Sequence, residues 1–531
     1  MTHPSSTPAS PGSPAAEPYE KRWLALGVIA MTILLVILDA TIVNIALPAV
    51  SAPESEGGLD ISPATQQWIV TAYTLTFGGF LLLGGRIADF WGRKRTYLVG
   101  SVGFAVASAL GGIAQNEAML FGARALQGVF GALLAPASLA LITVLFTDPK
   151  ERAKAFGVYG AIAGGGSAVG LLLGGVLTEY ADWRWCFWVN LPVALLAVAL
   201  AIPIVPESKA PGETRYDIPG AVVITLGLAS IVYGFTRVAE ASQTNAAEAA
   251  AANAQAAAQG APLVTAESGW TDGLAWVFIV AGLVLIALFV LLELRTRNPL
   301  LPMRIVLDRN RGGAYLTSTL VGAGLIGAFF FLSLYFQQVL AYTPVQAGLA
   351  SLPTTLGVFI SAGAASALVP RVGPKPLMVV GGLLAAAGLF ILSFVGLDTS
   401  FWTLPFPGQL LLGLGLGFTF VPLSNLALVG VGESDAGAAS AVLNATQQVG
   451  ASIGTAVLAS LSVAAISSYT ADALTSGVDP RVAGLQGQVE GYTTAFTWAA
   501  ALLVAGAVVA ALLIKATKED IPTGDAPVHV G

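Results

Sequence analysis

From residue 23 to residue 514 the chain alternates long apolar runs with short breaks that carry charge, Pro or Gly. A bilayer core takes about 20 apolar residues per helix, and most of the runs are of that length. Reading each run between its breaks predicts six spans at 23–48, 65–88, 96–114, 118–145, 153–178 and 186–206. A further pair is expected at 217–238 and 273–294, and six more at 314–339, 345–368, 377–396, 406–430, 438–468 and 492–514.

The basic residues orient these spans. With the N-terminus in the cytoplasm, cytoplasmic segments hold 20 of the 24 Lys and Arg residues, a strong positive-inside bias. Arg184, Arg237 and Arg481 remain outside, and Arg124 lies within a span. An odd number of spans would spoil the alternation, so fourteen are expected, with both termini cytoplasmic.

The pattern also repeats. Gly92, Arg93 and Lys94 follow span two, and Gly373, Pro374 and Lys375 follow span ten, an offset of 281. Gly160, Gly166 and Gly170 of span five are echoed by Asn444, Gly450 and Gly454 of span thirteen, an offset of 284. Both echoes relate span n to span n+8, as two parallel six-helix halves with an inserted pair would. The expected division is a disordered cytoplasmic N-terminus at 1–21, one half at 22–206, the inserted pair at 207–313, the other half at 314–514 and a cytoplasmic tail at 515–531. Residues 239–272, outside the membrane in this scheme, contain the run AEAAAANAQAAAQGA. Alanine favours helix, and both a short surface helix and disorder remain open for it.

Composition narrows the class. The chain is 55% hydrophobic and 10% charged, with a mean hydropathy of +0.78, whereas a soluble chain carries about 25% charged residues. The first apolar run is too long for the core of a signal peptide. No basic face or RNA-binding motif is present, which excludes nucleic acid as a partner. Cys186 is the single cysteine, and the two histidines, His3 and His529, sit in polar tails, so no disulfide, metal or redox site can be assembled. There is no G-x-S-x-G, paired histidine or carboxylate cluster for an enzyme, and no Walker A loop for an ATP-driven pump. Arg outnumbers Lys by 16 to 8 and Ala and Gly abound, which points to a GC-rich bacterium and hence to its inner (plasma) membrane.

Two ionisable residues lie deep in the expected spans, Asp39 and Arg124. A charge inside the bilayer costs at least ~2.5–3.5 kcal/mol on insertion scales, so it is read as functional, with a named partner. Asp39 precedes Pro48 by nine residues and Arg124 follows Glu117 by seven. At 1.5 Å per residue these lie roughly 13 Å and roughly 10 Å below the same face. Burial raises a carboxylate's pKa and a facing cation lowers it, so a movement that alters either would load or release a proton. A static ion pair holding spans one and four together is the other reading. Asn44, five residues on, has two readings, as a lining of the same path and as a packing amide. Gly160, Gly164, Gly166, Gly170, Gly174 and Gly175 give span five a small-residue surface on which another helix can approach closely.

Four stretches carry a family resemblance. LDATIVNIALP runs from Leu38 to Pro48, GRIADFWGRKR from Gly85 to Arg95, RALQGVFGA from Arg124, and GSAVGLLLGG is followed by DWRWCFWVNLP. The chain, from about residue 22 to 515, resembles the major facilitator superfamily and within it the fourteen-span drug:proton antiporter family. Two positions depart from its motifs: Phe90 stands where a basic residue is usual, and Leu171 where Pro usually follows Gly. The resemblance implies an all-α membrane protein with the major facilitator fold. It implies multidrug efflux and antibiotic resistance, with a proton gradient in place of a cofactor. Monomeric action on a small hydrophobic or amphipathic substrate is expected. It also implies a cytoplasmic gate formed by Gly85, Asp89, Gly92, Arg93 and Lys94, and an antiporter seam at Gly160, Gly166, Gly170, Gly174 and Gly175. A drug-like cargo calls for a mostly apolar cavity with a few polar anchors. The candidates are Asn44, Trp68, Tyr73, Tyr335, Gln338, Asn425, Asn444, Gln447 and Gln448. Export or flipping of a lipid or cell-envelope component by the same fold is the alternative.

Overall fold

The computed structural model describes residues 19–520, apart from 62, 67, 210–216, 260–263, 265–266, 297–298, 300, 302, 430 and 432–435. Most of the tail read as disordered, both histidines and the last eleven residues therefore lie outside the described residues. Among the described residues there is no strand, and fourteen helices have fifteen residues or more. They are α1 (Arg22–Ser51), α2 (Trp68–Trp91), α3 (Arg93–Gly112), α4 (Glu117–Leu145), α5 (Pro149–Tyr180), α6 (Asn190–Ile204) and α7 (Ile218–Gln259). The remainder are α8 (Gly273–Arg295), α9 (Arg309–Leu334), α10 (Leu352–Val372), α11 (Pro374–Leu392), α12 (Pro405–Leu428), α13 (Ala436–Thr475) and α14 (Pro480–Leu513). Short helices Trp185–Trp188 and Pro344–Ala350 lead into α6 and α10.

Among the described residues, eleven helices are long and apolar enough to cross a bilayer, and twelve when the two limbs of α2, bent by 51°, count as one. The long helices α3 and α5 stand outside that set. α3 opens on Arg93, Lys94 and Arg95, and α5 opens on a charged turn and is rich in glycine. The bend in α2 falls between Gly78–Gly79 and Gly84–Gly85, and glycine pairs are a recognised cause of helix kinks. Backbone approach demands one of them: a Cβ at Gly84 would collide with the carbonyl of Ala132 on α4.

Apolar runs report only the hydrocarbon portion of a helix, and several helices continue well past it. α7 has 42 residues, roughly 63 Å at 1.5 Å per residue, against a core of about 30 Å. Residues 239–259 of the Ala-rich stretch are thus a continuation of α7, which settles the choice between helix and disorder for them. Ser242 Oγ meets Ser460 Oγ of α13 at 2.9 Å. Farther along, the Asn253 side chain pairs with the backbone of Val264 at 2.7 and 2.8 Å. The expected span at 438–468 lies within α13, of 40 residues, and that at 492–514 falls in α14, of 34 residues, and ends on its C-cap, Ile514.

With little hydrophobic drive between helices in lipid, close packing of small residues supplies the contact energy. Gly166, Gly170 and Gly174 of α5 face Leu34, Ile37, Leu38, Thr41 and Ile42 of α1. At the equivalent place, Gly450 and Gly454 of α13 face Thr319 and Ala323 of α9. The pairings α2–α4, α3–α4 and α3–α6 likewise recur as α10–α12, α11–α12 and α11–α14. Helix n therefore finds the neighbours of helix n+8, as the two short sequence echoes anticipate. α5 meets the second set of helices where Gly175 abuts Pro344 and Val345, and where Gly348 abuts Leu171. The Val345 N–H donates to Glu179 Oε2 at 3.0 Å across the same seam. On the other side α2 meets α13, with Gly78 against Gln448. There α7 packs on both, and Thr225 Oγ1 donates to the Gly79 carbonyl at 2.8 Å.

Candidate functional site

The Asn116 side chain caps α4 by accepting from Met119 N, which sets Arg124 two turns into that helix. Its guanidinium reaches across to α1, with Nη1 2.5 Å from Asp39 Oδ2. Both side chains are buried, at 1% and 0% exposure. Arg124 Nε donates to the Ile69 carbonyl at 2.8 Å, Nη1 also donates to Gln127 Oε1 at 3.0 Å, and the guanidinium carbon lies 4.5 Å from the centre of the Tyr73 ring. The other carboxylate oxygen, Asp39 Oδ1, accepts from Gln127 Nε2 and from Asn190 Nδ2, each at 2.8 Å. Ser108 Oγ accepts from the same two amides at 3.0 and 2.9 Å and donates to the Phe187 carbonyl at 2.8 Å.

The cluster joins α1, α2, α3, α4 and α6 around one carboxylate. Charge-assisted bonds of this kind are about twice as strong as neutral ones, and a buried pair is tolerable only when its remaining lone pairs and protons are also satisfied. Gln127, Asn190 and Ser108 supply that satisfaction, and none was singled out from sequence. Two carried a signal. Gln127 is three residues after Arg124, on the same helix face, and Asn190 is a polar residue inside an otherwise apolar motif. Ser108 had none, since a serine in an Ala- and Gly-rich helix is unremarkable in composition.

The gate candidates lie at the opposite end of α2. Asp89 Oδ1 accepts from Arg93 Nη2 at 2.9 Å and Nε at 3.2 Å, within one turn. Gly92 alone links α2 to α3, with φ at +125°, a conformation that only glycine adopts without strain. Glu207, beyond α6, closes over this turn: its Oε1 accepts from Lys94 N at 3.1 Å, and its Oε2 lies 3.6 Å from Arg95 Nε. Lys94 Nζ donates to the Ile202 carbonyl at 2.7 Å. Gly85 sits against Pro136 of α4. Phe90, the departure from the motif, packs its ring 5.4 Å from the Arg86 guanidinium, whose Nη2 donates to the Pro299 carbonyl at 2.7 Å. Leu171, the other departure, is buried in the seam against Gly348.

A Cβ at Gly92 would lie 2.7 Å from Glu207 Oε1. Gly92→Ala is therefore expected to combine backbone strain of about 1–3 kcal/mol with displacement of Glu207. Thermal unfolding in detergent should show a clear loss, while Gly122→Ala, with nothing within 4 Å of its Cβ, should leave the transition in place.

Between the two sets of helices lies a narrow cleft lined by Asn44 of α1, Val70, Thr71 and Thr74 of α2, Phe330 of α9, and Ala451, Ser452 and Thr455 of α13. Of the cavity candidates, Asn44 lines it. Tyr73 is taken up under Arg124, and Trp68 packs on Tyr233 of α7, their rings 5.7 Å apart. Tyr335 and Gln338 fall in a π-turn after α9 and are engaged within the second set of helices: Tyr335 Oη donates to the Gly396 carbonyl and Tyr492 Oη to Gln338 Oε1, each at 2.8 Å. Asn425 is exposed on α12, and Asn444, Gln447 and Gln448 are half-buried on α13, with Gln448 against Gly78. Gly160 is on α5, and its surroundings lie outside the described residues.

A family model described as Major Facilitator Superfamily matches residues 29–455. A puromycin resistance protein of Streptomyces alboniger is 45% identical over 506 residues, covering 94% of this chain and 93% of its own length. A cephamycin export protein of Amycolatopsis lactamdurans is 34% identical over 428 residues, covering 80% and 82%. Among solved structures, a peptide transporter in complex with sulfate superposes with a TM-score of 0.61 at 13% identity, over 92% of this chain and 96% of that one. At that identity the likeness is one of fold.

Proposed function

The chain belongs to the Major Facilitator Superfamily, and from that premise we propose that it is a proton-driven exporter of small hydrophobic or amphipathic compounds. It acts by alternating access, as a monomer, in a bacterial inner membrane, with both termini cytoplasmic. Fourteen helices cross the bilayer, as two six-helix halves and the inserted pair α7–α8. Support for counting α3 is local: one residue, Gly92, separates it from α2, and four residues separate it from α4, so it must return across the membrane between them. α5 is flanked by spans in the same way, and its glycines give it a helix-packing face rather than a lipid-facing one.

The observation that carries the proposal is the buried carboxylate of Asp39, held by Arg124, Gln127 and Asn190 in the half that carries the antiporter-like motifs. Three donors suit the ionised group. A rearrangement of α1 against α4 and α6 that withdraws them favours protonation, and restoring them expels the proton, so the cycle needs no cofactor. The turn at Asp89, Gly92 and Arg93 with Glu207 serves as the inner gate, and the seam of α5 against Pro344–Ala350 limits leakage at the outer end. In inside-out vesicles with an acidic interior, ATP-independent accumulation of puromycin, or of a fluorescent amphipathic dye, is expected and should collapse with a protonophore. Accumulation indifferent to the pH gradient would overturn the proton coupling.

A further inference from the structure

The second set of helices carries, at the end where α10 and α12 begin, a groove of about 430 Å³ that no step of transport uses. Leu349, Leu356 and Phe359 form one wall, and Phe401, Trp402 and Phe406 the other. Among the described residues its lining holds no charge and a single hydroxyl, that of Thr355. The aromatic wall is built in advance. The Phe406 N–H donates to the Phe401 carbonyl at 2.9 Å, and the Trp402 ring stands 5.2 Å from each of theirs. Thr403 Oγ1 donates to the Ser400 carbonyl at 2.8 Å and closes the turn that carries them.

The groove is blind. Behind it α10 and α12 touch backbone to backbone, where a Cβ on Gly357 or Gly413 would collide with the carbonyls of Leu410 and Thr354. Gln409 of α12 bolts the same floor, donating to the Ala350 carbonyl at 2.8 Å and accepting from Thr354 Oγ1 at 3.2 Å. A molecule in the groove therefore has no way through to the cleft between the halves. The open side is marked by Leu349 and Leu356, each 51% exposed, and by Trp402, 71% exposed.

Depth identifies what meets that side. In the orientation proposed above, α10 and α12 start at the outer face. From Leu352, where α10 starts, to Phe359 is roughly 10 Å at 1.5 Å per residue, so the groove lies in the outer half of a hydrocarbon core of about 30 Å. Trp402 tops it, at the level where Trp collects in membrane proteins. We propose that the groove is a binding site for one acyl chain of an outer-leaflet phospholipid. Bilayer lipid is as apolar as this lining, so little hydrophobic free energy drives the chain in. What the groove adds is contact from two walls and a floor, and dispersion sums over such contacts. A single helix face, such as that of Val277 and Val284 on α8, at 60% and 61% exposure, touches a chain on one side only. The bound chain rests on Leu349, in the short helix whose Gly348 abuts Leu171 of α5, and so braces the seam between the halves from its membrane side. The inference goes beyond the exporter reading and needs only that the chain lie in a bilayer.

The test is photolabelling of the full-length protein in nanodiscs, using a phosphatidylcholine that carries a diazirine midway along one acyl chain. Adducts mapped by mass spectrometry are expected on Leu349–Phe359 and Phe401–Phe406 at a level severalfold above those on α8. Leu356→Trp, which fills the groove from an exposed position, should bring the labelling of Phe401–Phe406 down to the α8 level. Val284→Trp, the same change on α8, should leave it unaltered. Should Leu356→Trp fail to fold, Trp402→Ala removes a largely exposed ring from the mouth and is expected to lower the labelling as well. Equal labelling of the groove and α8 would overturn the proposal, and so would selective labelling that survives both groove substitutions. Loss of the lipid adducts on adding an amphipathic amine would assign the groove to cargo instead. Cross-links between two copies through these residues would assign it to a second copy of the chain. Transport is not read at any point, so failure of the proton coupling leaves this result standing, and the reverse holds too.

Discussion

Asp39→Asn is expected to reduce pH-gradient-driven accumulation of cargo to the level of vesicles lacking the protein, while leaving the chain folded and able to bind. The substitution is close to isosteric, so α1 keeps its packing on α5, where Gly170 and Gly174 admit Leu38, Thr41 and Ile42. Asparagine can still accept from Gln127 and Asn190 through one oxygen. On the other side its amide turns an N–H toward Arg124 Nη1, which loses its acceptor but keeps Gln127 Oε1, while Arg124 Nε keeps the Ile69 carbonyl and the guanidinium keeps the Tyr73 ring. What the variant lacks is a group that takes up and releases a proton. Exchange of labelled for unlabelled cargo at equal pH, which requires only cargo-loaded states, should therefore persist. Asp182→Asn, at a partly exposed site in the loop before α6, provides the control and should transport normally. Full gradient-driven accumulation by Asp39→Asn would remove that carboxylate from the mechanism.

Part of this arrangement was legible in the sequence and part was not, for identifiable reasons. An apolar run of bilayer length can hardly be anything but a spanning helix, so the helices lie where the hydrophobic pattern puts them. Their ends do not, because polar extensions such as 239–259 of α7 and the first turns of α14 are helical without being apolar. Asp39 and Arg124 stood out because a charge in hydrocarbon is rare and needs a partner, and counting residues from each span's end put both at similar depth. Amides and hydroxyls give no such warning. Nothing in their spacing says that Asn190 of α6 and Gln127 of α4 share Ser108 of α3, since that depends on how three helices rotate about their axes. The cavity candidates illustrate the same limit. Tyr73 and Thr74 are neighbours in sequence, yet the helix turns one to the guanidinium and the other to the cleft.

Arg124→Ala is expected to be strongly destabilising, and its combination with Asp39→Asn to be less damaging than the sum. Removing the guanidinium leaves Asp39 charged and buried with two amide donors and no cation. It also leaves the Ile69 carbonyl without its donor and the Tyr73 ring without the group stacked on it. Breaking a buried pair by deleting one partner typically costs about 3–5 kcal/mol, most of it the uncompensated charge that remains. Neutralising that charge with Asp39→Asn removes this part of the penalty and leaves the cavity and the lost carbonyl bond. Purified yield and thermal unfolding in detergent, measured for both single variants and the double, should therefore deviate from additivity in the favourable direction, by an interaction energy of about 0.5–3 kcal/mol. Additive loss would mean that the two groups do not stabilise one another, whatever their separation. Transport separates this structural coupling from the functional one: the double variant should regain stability without regaining proton-driven accumulation, because the guanidinium compensates the carboxylate's charge but cannot replace it as the carrier of the proton.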